Sequence, residues 1–101
     1  MSLKDAVKKN KNKFPEIKKV LLFGSRARGD WGLRSDADVL VILKESQHTR
    51  FFDRIPRYLD LFSKVSLPVD VFPYTEEELE RMKKKGNKLI LRALKEGILL
   101  S

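Results

Sequence analysis

The sequence predicts an α/β (α+β) fold: a single small mixed β-sheet with helices packed on it. Three observations predict it. Two short apolar runs, Lys19–Phe23 and Asp38–Leu43, read as buried strands on either side of a glycine-punctuated turn. A third run, Pro68–Tyr74, reads as another strand, reached after an intervening helical stretch. Segments with helical spacing or helix caps lie before, between and after the strands. The predicted order is helix, strand, turn, strand, helix, strand, helix, helix. At 101 residues the chain is expected to be one domain, residues 1–101, with a single core.

Each element has its own signal. Leu3–Lys13 reads as a basic helix with a thin apolar side of Leu3, Ala6 and Val7, interrupted by Pro15. The run ending at Phe23 gives way to a loop marked by Gly24, Gly29 and Gly32. Asp38–Leu43 is rich in branched residues and apolar after its first position, as in the middle of a covered sheet. Phe51, Phe52, Ile55, Leu59 and Phe62 recur at three- to four-residue spacing and predict one buried helix face, with all three phenylalanines in the core. Pro56 must start that helix or kink it. Prolines mark both ends of the third strand. Thr75-x-x-Glu78 is a capping box, its acidic first turn suits a helix N-terminus, and Gly86 is a natural stop. Asn87 caps a last helix expected to carry Leu91, Leu94 and Ile98, with Gly97 ending it.

Composition narrows the functional classes. Hydrophobic residues make up 42% and charged residues 36%, which is globular rather than disordered. Cysteine is absent, so disulfides and thiolate metal sites are excluded. No apolar run reaches the roughly 20 residues of a membrane span. The first residues lack the apolar core of a signal peptide, so a cytoplasmic location is the expectation. The formal net charge is +8, with lysines clustered near both ends. That charge favours polyanions, but it also describes a solvated Lys/Glu surface. The lysines are not interleaved with aromatics, so nucleic acid is not expected as a specific ligand.

The chemistry concentrates between Val20 and Leu43. Gly24 removes the Cβ that would keep a phosphate from the backbone after the strand. Ser25 adds a hydroxyl donor, and Arg26 and Arg28 supply charge-assisted bonds to phosphate oxygens. Alone, such a turn is commonly only a turn. Asp36 and Asp38 follow at the head of the next strand, and i, i+2 spacing points both carboxylates to one side. Two like charges that close call for a cation, and hard oxygen donors favour Mg²⁺ or Mn²⁺. Asp70 is a third acid, set in the apolar Val69–Phe72; it falls beside the pair if the two strands are neighbours, and otherwise is a solvent-facing acid on an edge. A phosphate turn with three acids is the parts list of two-metal phosphoryl transfer. His48, the only histidine, reads as a surface residue; Trp31 and Tyr74 read as packing residues that could also touch a nucleotide.

GSRARGD, then SDADVLVIL, then VDVF resembles the minimal nucleotidyltransferase domains of the polymerase-beta superfamily, from about Val20 to the C-terminus. The resemblance implies that Asp36 and Asp38 hold the metals. It makes Asp70 a further metal ligand or the base for the acceptor hydroxyl, and Gly24 and Ser25 holders of the triphosphate. It also implies in-line attack of a hydroxyl on the α-phosphate of ATP, with two Mg²⁺ ions as cofactors. Minimal members commonly pair with a small helical HEPN-type protein. By resemblance this chain is the antitoxin of such a module and adenylylates a tyrosine of its partner. Its size leaves the acceptor site to be completed by that partner or by a second copy. The competing readings are a catalytically silent nucleotide- or partner-binding module and, more remotely, a basic nucleic-acid binder.

Overall fold

The computed structural model describes residues 1–24 and 36–101. Helix α1 (Leu3–Asn10) starts where the Ser2 hydroxyl accepts the Asp5 N–H, and its last turn carries Lys8 and Lys9 at the negative end of the dipole. A 3-10 turn at Lys11–Lys13 leads to β1 (Ile17–Phe23). After the turn come β2 (Ala37–Leu43), α2 (Phe51–Leu59) with a 3-10 turn at Asp60–Phe62, and β3 (Val69–Thr75). Helices α3 (Glu76–Lys84) and α4 (Lys88–Glu96) follow, and β4 (Ile98–Leu99) closes the chain.

The sheet order is β3-β2-β1-β4. Strand β1 is antiparallel to β2 and to β4, whereas β2 and β3 are parallel. A parallel pair needs a crossover, and α2 supplies it. The mixed sheet with helices on it is the predicted fold class. Strand β2 explains its own sequence. Val39, Val41 and Leu43 enter one core with Ala6, Val7, Val20, Tyr58 and Leu61, while Leu40 and Ile42 enter a second with Phe23, Leu79, Ile90 and Ala93. Both faces are covered, by α1 and α2 on one side and by α3 and α4 on the other, so no polar alternation is needed.

The helix caps form as expected. Thr75 and Glu78 make the reciprocal capping box, Gly86 takes a left-handed φ of +73° after α3, and Asn87 accepts the Ile90 N–H to start α4.

Three expectations need correction. Phe52 is 79% exposed and not in the core; the buried stripe of α2 runs through Arg54 and Tyr58 instead. The spacing was helical, but an arginine occupies a core position, which an apolar count overlooks. Of the two alternatives for Pro56, starting the helix is excluded, because the residue lies inside it. Pro73 does not end the third strand. It sits within β3, which its missing N–H permits because β3 is an edge strand. Finally, α4 buries Ile90 and Ala93 rather than Leu91, and Ile98 belongs to a strand on β1.

Arg54 is the buried charge of the fold. Its Nε donates to the His48 carbonyl at 2.8 Å. Nη1 donates to Glu78 Oε1 at 2.6 Å and to the Pro73 carbonyl at 3.1 Å, and Nη2 to Glu78 Oε2 at 3.1 Å and the Thr49 carbonyl at 3.4 Å. These partners use all five guanidinium donors, which is what makes the burial tolerable. One side chain thus ties α2 to the preceding loop, to β3 and to the cap of α3.

Candidate active site

The site is built at the shared end of three strands. Strand β1 ends at Phe23, which pairs with Asp38 on β2; Asp38 in turn pairs with Asp70 on β3. Gly24 therefore lies next to Asp38, and Asp70 lies on its other side. Gly24 has a φ of +79°, a conformation that costs any L side chain. A Cβ there would stand 2.5 Å from Asp38 Oδ2. Two independent constraints, backbone hand and space, thus demand glycine at this point.

Asp38 is half-buried, and Asp36 and Asp70 are exposed. The Asp38 carboxyl is raised above its ordinary value, first by burial, then by the negative charges of Asp70 and Asp36. Three carboxylates therefore act on one another across the strand ends. Among the described residues, no group of three or more acidic, histidine or cysteine side chains closes around a single metal position. The donor chemistry nonetheless fits a hard divalent cation: all-oxygen ligands and accumulated negative charge.

The other sequence candidates sort clearly. Ser25, Arg26, Arg28 and Trp31 lie outside the described residues. Tyr74 packs its ring on Phe51 at 4.7 Å between centroids, and burial raises its phenol pKa. His48 is exposed; its carbonyl, not its ring, is the group in use, holding Arg54. A cleft of about 450 Å³ lies between α1 and the 3-10 turn after α2, lined in part by Lys9, Lys13 and Lys64. It is at the other end of the sheet from Asp38, since β1 enters there at Ile17, opposite Leu43.

A family model for the nucleotidyltransferase domain matches residues 3–100. The chain belongs to that family. A relative from Methanocaldococcus jannaschii, named "Putative protein adenylyltransferase MJ0141", is 38% identical over 56 residues. That match covers 55% of this chain and 54% of the relative, so the chain spans about half the length of the curated relative it matches. Among solved structures, a nucleotidyltransferase from Sulfolobus solfataricus, described as putative, superposes with a TM-score of 0.61 at 29% identity, over 95% of this chain and 73% of that one. A toxin–antitoxin structure with AMP-PNP gives 0.62 at 19% identity, over 97% and 72%. A mutant of the toxin–antitoxin pair MntA-HpeT gives 0.63 at 15% identity, over 100% and 73%. At those two identities the likeness is one of fold.

Proposed function

We propose that this nucleotidyltransferase-family chain transfers AMP from ATP to a hydroxyl of an acceptor protein. The acceptor is a tyrosine of a small helical HEPN-type partner, and this chain is the antitoxin of the pair. The observation that carries the reading is the Gly24–Asp38–Asp70 row across three neighbouring strands. The name of the archaeal relative supports protein adenylylation, and the toxin–antitoxin neighbours support the pairing.

Gly24 leaves room for the triphosphate against the backbone, and Ser25, Arg26 and Arg28 are assigned to its phosphate oxygens. Asp36, Asp38 and Asp70 are the residues that would hold divalent cations, two Mg²⁺ or Mn²⁺ ions. When bound, these supply neutralising charge at the attacking and leaving oxygens. Asp70 stands at the outer strand, on the acceptor's side, where it takes the proton from the hydroxyl. The new bond joins that oxygen to the α-phosphorus, the bond from the α-phosphorus to the bridging oxygen breaks, and pyrophosphate leaves. Holding the two reactants in line and balancing charge account for much of the rate.

The test is the intact mass of the helical protein encoded by the neighbouring gene. It is incubated with this chain, ATP and Mg²⁺, beside an Asp36→Ala/Asp38→Ala control. One added adenylyl group, absent in the control, is the expected result. A stable complex with no added mass would instead favour a silent binding module.

A further inference from the structure

Alternate residues of a strand face one way, so Asp38 shares its side of β2 with Leu40 and Ile42. Leu40 and Ile42 cluster with Ile90 and Ala93 of α4, so the carboxylate stands on the face that α4 covers. The chain leaves α4 through Gly97 and enters β4, where Ile98 pairs with Leu22. Leu22 is one residue short of Phe23, the register partner of Asp38. A Cβ on Gly97 would lie 3.4 Å from Leu21 Cβ and 3.5 Å from the Leu22 carbonyl oxygen, so the end of the helix is seated on β1 just short of Gly24. Helix α4 is therefore a wall of the site.

The helix has two flanks, and each bears a bare leucine. Leu94 lines a cleft with Lys18, Lys19 and Ile42. Lys19 pairs with Ile42, far down the strands from Asp38, so that flank looks away from the carboxylates. At about 100° per residue, Leu91 lies only roughly 60° around the axis from Leu94, and Leu89 roughly 140° in the same sense. Leu91 thus shares the flank of Leu94, whereas Leu89 stands on the flank that faces the Asp38 end. Leu89 is 48% exposed and Leu91 42%. Leu89 is thus an apolar side chain left uncovered on the wall above the acids.

The meaning of that position rests on the transfer reading above. In-line displacement sets the acceptor oxygen and the departing pyrophosphate on one line through the α-phosphorus. With the triphosphate against Gly24 and the acceptor beside Asp70, that line runs across the strands. The nucleoside hangs from an oxygen off that line and must leave sideways. On one side the strands end; on the other stands α4. We propose that the nucleoside turns back over the sheet and sets its base against Leu89. The base is the apolar part of the donor, and covering a half-exposed leucine with its face removes apolar area of both from water.

The test measures binding of Mg²⁺ with AMP-PNP, and of Mg²⁺ with inorganic tripolyphosphate, to the whole chain. Leu89→Ala is expected to raise the Kd of AMP-PNP about fivefold, the effect of losing part of one leucine contact. The Kd of tripolyphosphate stays unchanged, Leu89→Met restores most of the affinity for AMP-PNP, and Leu91→Ala leaves both ligands as in the parent. Both leucines are about half-exposed, so the melting temperatures stay near that of the parent. An unchanged Kd for AMP-PNP in Leu89→Ala overturns the proposal. An equal loss of tripolyphosphate, or an equal effect of Leu91→Ala, also overturns it. Intact mass of the helical neighbouring-gene protein is followed on the same samples. If Leu89→Ala weakens AMP-PNP but the parent transfers nothing, the transfer reading falls and the nucleoside wall stands. A parent that binds no AMP-PNP overturns both.

Discussion

Gly24 and Asp38 define each other. The left-handed turn brings bare backbone against a carboxylate oxygen, and that carboxylate is already raised by burial and by its acidic neighbours. A backbone conformation open only to glycine and a conflict of charge collect at one point, as they do where a protein prepares a site for a ligand. Gly24→Ala meets both obstacles at once. The backbone term is about 1 kcal/mol, and the Cβ must displace the Asp38 side chain. The expected outcome is a lower melting temperature together with loss of adenylyl transfer, followed by thermal unfolding and intact mass on the same sample. Unchanged transfer would mean that Asp38 has freedom to move aside.

Helix α2 is held by charge as much as by apolar contact. Glu78 lies below its ordinary value of 4.5, chiefly because Arg54 hydrogen-bonds its carboxylate, against a smaller opposing effect of burial. A carboxyl depressed in the folded state stabilises the fold above its unfolded value. That contribution is lost as pH falls through the lower folded value. Arg54→Ala leaves Glu78 partly buried without its partner and is expected to cost about 3 kcal/mol at neutral pH. It should also flatten the acid-side loss of stability, as seen by denaturant unfolding from neutral pH down through the carboxylate range. This element also marks where the sequence stops being legible. The strands could be read because β2 is apolar on both faces and because Gly24, Asp36 and Asp38 are close along the chain. The caps could be read because Thr75–Glu78 and Asn87–Ile90 are local bonds. Arg54 could not be read, since its five acceptors come from a loop, a strand and a helix that only the fold assembles. Once Arg54 takes the inner stripe, Phe52 is turned out. The two-residue β4 was hidden for a similar reason: Ile98–Leu99 has no pattern of its own and becomes a strand only by pairing with β1.

Across the whole molecule, the two cores share one sheet, and polar ties join its outer layers. Tyr58 is 2% exposed and donates to Glu16 Oε2 at 2.7 Å, while Arg57 Nε donates to the same oxygen at 2.8 Å. Burial first, then the bond to Glu16, pushes the Tyr58 phenol up to about 12. Its unfolded value is 10.0, so the neutral phenol stabilises the fold fully below that pH and the contribution is lost as pH rises toward about 12. Alkaline unfolding and tyrosinate absorbance are therefore expected to rise together in that interval, and Tyr58→Phe should remove this step. No helix among the described residues is long and apolar enough to cross a membrane.

The strand order also sets how much chain separates the site's partners. Strands β1 and β2 are neighbours in sequence and pair antiparallel, so the contact of Gly24 with Asp38 spans few residues of chain. Asp70 joins them through the parallel pairing of β3 with β2, after the whole of α2 has been laid down and clasped by Arg54. The like charges of Asp38 and Asp70 are thus held side by side by a pairing that must close over the whole of α2.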